Sequence, residues 1–210
     1  MTIKKKKSGF DFLVFLFVIA IALGSYSSYS KYTSSISGNS SVDVAAWNVV
    51  VNTEDITNAT ELEQEISFTP ISSQYVAAGK MAPSVGGYFD VIIDTRNAEV
   101  ASTYTIKIDV TDLESLGGFN VAGYEVYEEN ETLPSSVTEI PEDLLSVTET
   151  TVSERTYKVI SSGILTLDSS GNGSKETVRV YLEWDGEEGT NPNSATVQIP
   201  VGVTVEQYFG

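Results

Sequence analysis

The 210-residue sequence contains no cysteine and no histidine. Without cysteine there is no disulfide and no thiol nucleophile. Without histidine the commonest general base and the commonest zinc ligand are both missing. Triads of the Ser-His kind and zinc-binding helices are therefore excluded. Basic residues are scarce too: 12 Lys and Arg stand against 29 Asp and Glu, a formal charge of −17. Such acidity repels nucleic-acid phosphates and anionic lipid, so neither is an expected partner. A glycosidase needs only two carboxylates across a cleft, and this composition supplies them by chance, yet no pair is marked out by its position. No catalytic residue and no cofactor is assigned.

Long apolar runs are absent except at the start. Lys4 to Lys7 precede an unbroken run from Phe12 to Leu23, which passes into small residues and tyrosines. A positive part, an apolar part and a small-residue exit in this order make up an export signal. Its 12 apolar residues fall short of the roughly 20 that a membrane-spanning helix needs. Ser28 and Ser30 satisfy the small-residue requirement before a cut, as do Ser25 and Ser27. Residues 1–30 are thus expected to be a signal peptide, handled by the export machinery and a signal peptidase. If retained, the segment is an N-terminal anchor, and membrane contact runs only through residues 10–24. Gly9-Phe10 offers a third cut, of prepilin type, although Val14 stands where that cut expects glutamate. The expected location is extracellular, secreted or attached to the cell surface.

Loss of the four lysines and Asp11 takes the formal charge from −17 to −20. About 170 to 180 residues then remain, enough for one domain to bury a core without disulfides. Residues 31–41 (KYTSSISGNSS) form a polar stretch, and residues 42–210 are read as a single domain. Val42 to Val51 is rich in β-branched valine, so it reads as a strand. Glu65 to Pro70 is a short strand stopped by its proline. Tyr88 to Asp94 and Val100 to Val110 read as an antiparallel pair; in the second, Tyr104, Ile106, Ile108 and Val110 share a face. Phe119 to Tyr127 is another strand. Residues 128–155 are acidic and aperiodic, an expected insertion, with Pro141 placed to start one helical turn. Thr156 to Leu167 and Glu176 to Trp184 read as a hairpin around Asp168 to Gly173. Ala195 to Phe209 is the last strand. About nine short strands without a convincing amphipathic helix predict an all-β, antiparallel β-sandwich.

Asp168 and Asn172 in one turn, with Asp185 and Glu187 in the next loop, are candidate calcium ligands. The spacing argues against a helix-loop-helix site, because the twelfth position from Asp168 is Arg179 rather than glutamate. An ordinary hairpin turn accounts for the same residues, and no other metal site is expected. Trp184, at the end of a strand, is the aromatic best placed to face a carbohydrate, although packing is the commoner use of such residues.

The leader running into Gly24-Ser-Tyr-Ser-Ser-Tyr-Ser-Lys-Tyr32, the first strand with Val44-Ala-Ala-Trp47, the Met81-Ala-Pro-Ser-Val-Gly-Gly-Tyr-Phe-Asp90 segment and the terminal strand carry a resemblance. Together they are similar to the TasA/camelysin group of exported proteins of Gram-positive bacteria. Ser84 stands where that group commonly has a glycine after the proline. The resemblance implies a jelly-roll-like domain that joins a surface or biofilm-matrix fibre, its mature N-terminal segment adding as a strand to a neighbouring copy. By position, residues 31–41 would be that donor, with Tyr32 and Ile36 as anchors; a flexible tether is the other reading of the same residues. Camelysin's protease activity does not carry over to a chain without histidine.

Three readings remain: a self-associating, non-enzymatic surface or matrix subunit, a membrane-tethered module binding glycan or protein, and a pilin-like subunit. Mass spectrometry of the mature N-terminus separates them. A start between Ser28 and Lys31 is expected for the first, an intact Met1 or Thr2 for the second, and Phe10 for the third.

Overall fold

A computed structural model describes residues 44–59, 61–80, 82, 85–115, 118–184 and 197–210. The chain divides into two compact units, Met1–Val44 and Ala45–Gly210. The leader, residues 31–41 and the loop around Asp185 and Glu187 lie outside the described residues.

The second unit is all-β. Its strands are β1 (Val50–Val51), β2 (Glu54–Asp55), β3 (Glu61–Ser67), β4 (Thr69–Pro70), β5 (Gly87–Asp94), β6 (Ser102–Asp109), β7 (Phe119–Glu128), β8 (Thr148–Val152), β9 (Arg155–Ser161), β10 (Lys175–Trp184) and β11 (Gln198–Gln207). One short helix, α1 (Val110–Ser115), follows β6. Sheet A runs β2–β1–β5–β10–β7, with β4 beside the start of β5, and sheet B runs β3–β11–β6–β9–β8. All pairings are antiparallel.

The pairing is nested. β3 pairs with β11, β5 with β10, β6 with β9, and Tyr124 of β7 with Leu145. A long antiparallel hairpin wrapped on itself gives this pattern, and it is the double Greek key of a jelly roll. Alternation supplies the core. Phe89, Val91 and Ile93 of β5 and Val178, Val180 and Leu182 of β10 point inward from sheet A. Tyr104, Ile106 and Ile108 of β6 and Val201, Val203 and Val205 of β11 point inward from sheet B.

Several expectations are corrected. β5 and β6 are not a pair: each turns an apolar face to the other across the core, and residues 95–101 carry the chain between sheets. Ala98, fully buried, anchors that crossing through Gly173 N–H donating to its carbonyl at 2.8 Å. β9 and β10 likewise belong to different sheets, so the turn at residues 168–173 joins layers rather than a hairpin. Residues 46–49 make no ladder, because their backbone is taken by loops: Glu99 N–H donates to Ala46 O and Ile56 N–H to Val49 O. Only Val50 and Val51 of the expected first strand pair.

The helix was not expected. Asp109 caps it, Oδ1 accepting from Thr111 N–H at 2.8 Å, and Leu113 drops into the core. Among the described residues eleven strands form where about nine were expected, three of them two-residue pairings. Among the described residues no helix is long and apolar enough to cross a membrane.

Candidate functional site

Three surfaces gather polar side chains: the outer face of sheet A, the outer face of sheet B, and the turn at Asp168. The first carries the densest polar cluster. Register places Arg179 of β10 directly opposite Asp90 of β5 on one side and Glu125 of β7 on the other. Its guanidinium donates to both Asp90 oxygens, Nε to Oδ1 at 2.7 Å and Nη2 to Oδ2 at 2.8 Å. It lies 4.1 Å over the Tyr88 ring, and Nη1 donates to Pro134 O at 3.1 Å. Tyr127 and Tyr181 hydroxyls both donate to Glu125 Oε2, at 2.5 and 2.7 Å. A bidentate, ring-stacked arginine suits planar arginine chemistry and leaves no free fork for a ligand.

The lid over this cluster is the acidic segment between β7 and β8. Ile71, Tyr88 and Tyr181 form a second small core, covered by Val137, Ile140 and Leu144. Close approach needs missing side chains beneath: a Cβ on Gly86 would sit 2.6 Å from Ile140 Cδ1, and one on Gly123 would sit 2.7 Å from Leu144 Cβ. The Tyr124–Leu145 pair exchanges two backbone bonds, 3.0 and 2.9 Å. Residues 129–147 are therefore a strap across sheet A. The helical turn expected at Pro141 is not formed, because this stretch is held by the sheet face and by Tyr124.

The electrostatics agree with a structural pin. Bonding to Asp90 raises the Arg179 pKa above its usual value. Burial first, then the bond to Glu125, pushes the Tyr127 phenol up to about 12 and raises Tyr181 as well. These hydroxyls stay protonated near neutrality and act as donors, so none is poised as a base.

On the other side, sheet B carries a half-open cleft of about 480 Å³. Gly202 and Pro200 of β11 make its floor, and Glu61, Glu63 and Glu65 of β3 face Lys107 and Arg155 across it. Arg155 Nε stands 3.0 Å from the buried Asp109 Oδ2, an ion pair by distance but off line for a hydrogen bond. That contact ties β9 to the cap of α1.

Asp168 and Asn172 do meet in one turn. Asp168 Oδ1 accepts from Ser170 N–H at 2.7 Å and Asn172 N–H at 2.9 Å, the local bonding of a turn aspartate. Among the described residues no group of three acidic side chains is arranged to hold a metal ion. Asp185, Glu187, Tyr32, Ile36, Ser27, Ser28 and Ser30 fall outside the described residues. Trp184 is buried and stacks on Phe119, centroids 5.8 Å apart, so it belongs to the core and offers no carbohydrate platform. The Arg179 cluster went unread in the sequence, where its one signal was a lone cation inside the apolar run Val178 to Leu182.

No protein-family model, curated protein or solved structure matches this chain.

Two outcomes follow from the polar groups. Arg179→Ala, which strands a carboxylate under the strap, is expected to cost about 3 kcal/mol in urea unfolding. It should also speed proteolysis within residues 129–147; an unchanged cleavage pattern there would refute the pin. Glu176, half-buried and accepting from Tyr104 at 3.2 Å, has its pKa raised above 4.5, chiefly by desolvation. The folded state thus keeps that proton longer than the unfolded chain, and stability present below pH 4.5 is lost as pH rises through the folded pKa. Glu176→Gln is expected to flatten this part of the Tm–pH curve.

Proposed function

We propose that this chain is an exported, non-enzymatic structural subunit of a cell surface or extracellular matrix, and that it self-associates by strand addition. One observation carries the reading: sheet B ends on both sides in strands, β3 and β8, that pair on one side only among the described residues. A row of unmet N–H and C=O groups is a template for another strand. The export-type leader, the absence of histidine and cysteine and the resemblance to the TasA/camelysin group support the same reading.

β3 is the acceptor for residues 31–41. Glu61, Glu63 and Glu65 line its outer face, all exposed, and repel an acidic strand laid beside them. Residues 31–41 carry Lys31 and no acid, so they meet that edge without like-charge contact. Export machinery and a signal peptidase are the transient partners, and copies of the chain are the lasting ones.

A tethered binding module is the second reading, favoured by the half-open cleft on sheet B, whose mixed charge suits a polar ligand. Deletion of residues 31–41 decides for or against the subunit reading. Circular dichroism is expected to show an intact sandwich, while filaments vanish from negative-stain images. Filaments that persist unchanged would sink the donor role.

A further inference from the structure

β8 differs from the other sheet edges. Its hairpin to β9 turns on Ser153 and Glu154, with φ of 50° and 71°, the type I′ geometry of a two-residue loop. Such a loop closes on a hydrogen-bonded pair, Val152 with Arg155. Alternation along the ladder then directs the peptide groups of Val152, Thr150 and Thr148 toward β9, and those of Thr151 and Glu149 outward. All residues of β8 are exposed. Among the described residues no strand meets its outward groups.

We propose that a second copy of this chain docks here, β8 against β8 and antiparallel, about a two-fold axis through Thr150. The inference rests on the reading of the chain as a self-associating subunit and assigns it a contact distinct from the donor segment. Outward groups must meet outward groups, which leaves axes through Glu149, Thr150 or Thr151. An axis through Glu149 sets two carboxylates directly opposite each other. One through Thr151 runs Glu149 against Ser153, whose left-handed backbone has already left the ladder. The axis through Thr150 has neither fault. Glu149 faces the second copy's Thr151, Thr150 faces Thr150, and Thr148 faces Val152, which is 55% exposed in the single chain. The charge of Glu149 is already met by Lys158 Nζ at 2.9 Å. Threonine and valine at these positions suit a pleated pairing.

The other edges refuse the same arrangement. Every antiparallel self-pairing of β3 that keeps like faces together and engages five or more of its residues sets glutamates among Glu61, Glu63 and Glu65 against one another. β2 is two acidic residues long. The outer side of β7 is taken at Tyr124 by Leu145.

The absence of native cysteine makes single cysteines a clean reporter of register in the full chain. Thr150 would face its copy as a non-hydrogen-bonded pair with Cα atoms about 4.5 Å apart, within disulfide reach. Two Thr148 residues would lie about 14 Å apart, four residues along the strand direction. Under mild oxidation Thr150→Cys is expected to give about tenfold more covalent dimer than Thr148→Cys or Val152→Cys alone. Mixing the last two variants should recover the dimer. Equal cross-linking of all three, or a maximum at Thr151→Cys, overturns the proposal.

Thr151→Pro removes an outward N–H and leaves the β9 ladder intact. It should lower the dimer fraction about tenfold in sedimentation at fixed concentration, and an unchanged fraction overturns the contact. Deleting residues 31–41 should leave Thr150→Cys cross-linking intact, even if that deletion proves to have no effect on filaments. Cross-linking lost on that deletion would assign the edge to the donor segment and overturn the β8 pairing.

Discussion

The register of β10 between β5 and β7 is the constraint on which both layers of sheet A depend. Side chains alternate along a strand, so one register decides two faces together. As observed, Val178, Val180 and Leu182 enter the core, while Thr177, Arg179 and Tyr181 face outward. A slip of one residue would drive Arg179 into the apolar interior, where an unpaired charge is far costlier than any lost valine contact. In the observed register the guanidinium lands opposite Asp90, with which it pairs, and beside Glu125 of the other neighbouring strand.

From that pairing the asymmetry of the sandwich follows. Sheet A has its outer face covered, because the strap delivers Pro134 O to Arg179 and three aliphatic side chains to Tyr88 and Tyr181. Sheet B has no such cover among the described residues, and its outer face dips at Gly202. Association is therefore a property of sheet B, in the reading proposed for this chain. Its two edges also differ in their side chains. β3 carries alternating glutamates, which guard against self-pairing, whereas the threonines of β8 carry no such guard.

The strong negative charge sharpens that difference. Copies with a formal charge of −17 repel over a Debye length of about 8 Å at physiological salt. In the reading proposed for this chain, a hydrogen-bond ladder free of opposed carboxylates is the contact that this repulsion opposes least. Several of the few cations are spent on short-range pairs: Arg179 with Asp90, Arg155 with Asp109, Lys158 with Glu149, and Arg96 with Asp94 and Glu129.

Strict alternation was enough to read β6, and apolar runs bounded by turn residues marked β5, β7, β10 and β11. The all-β class follows from them. Partner choice was not legible. β5 and β6 are neighbours in sequence and carry matching stripes, but the stripes meet across the core instead of side by side, and nothing local distinguishes the two arrangements. The strap was hidden for a related reason: Val137, Ile140 and Leu144 are sparse among acids, and only the bare sheet at Gly86 and Gly123 gives them a place to settle. Asp168 was legible as a turn residue by its neighbours. Arg179 was visible as an oddity without a role, because its partners lie 89 and 45 residues away. The sequence by itself determined strand identity, the surface charge and the absence of histidine and thiol chemistry, all of which depend on residue type and near neighbours. Sheet assignment, the covered and uncovered faces and the open edges were decided by tertiary structure, because each depends on which distant strand arrives alongside.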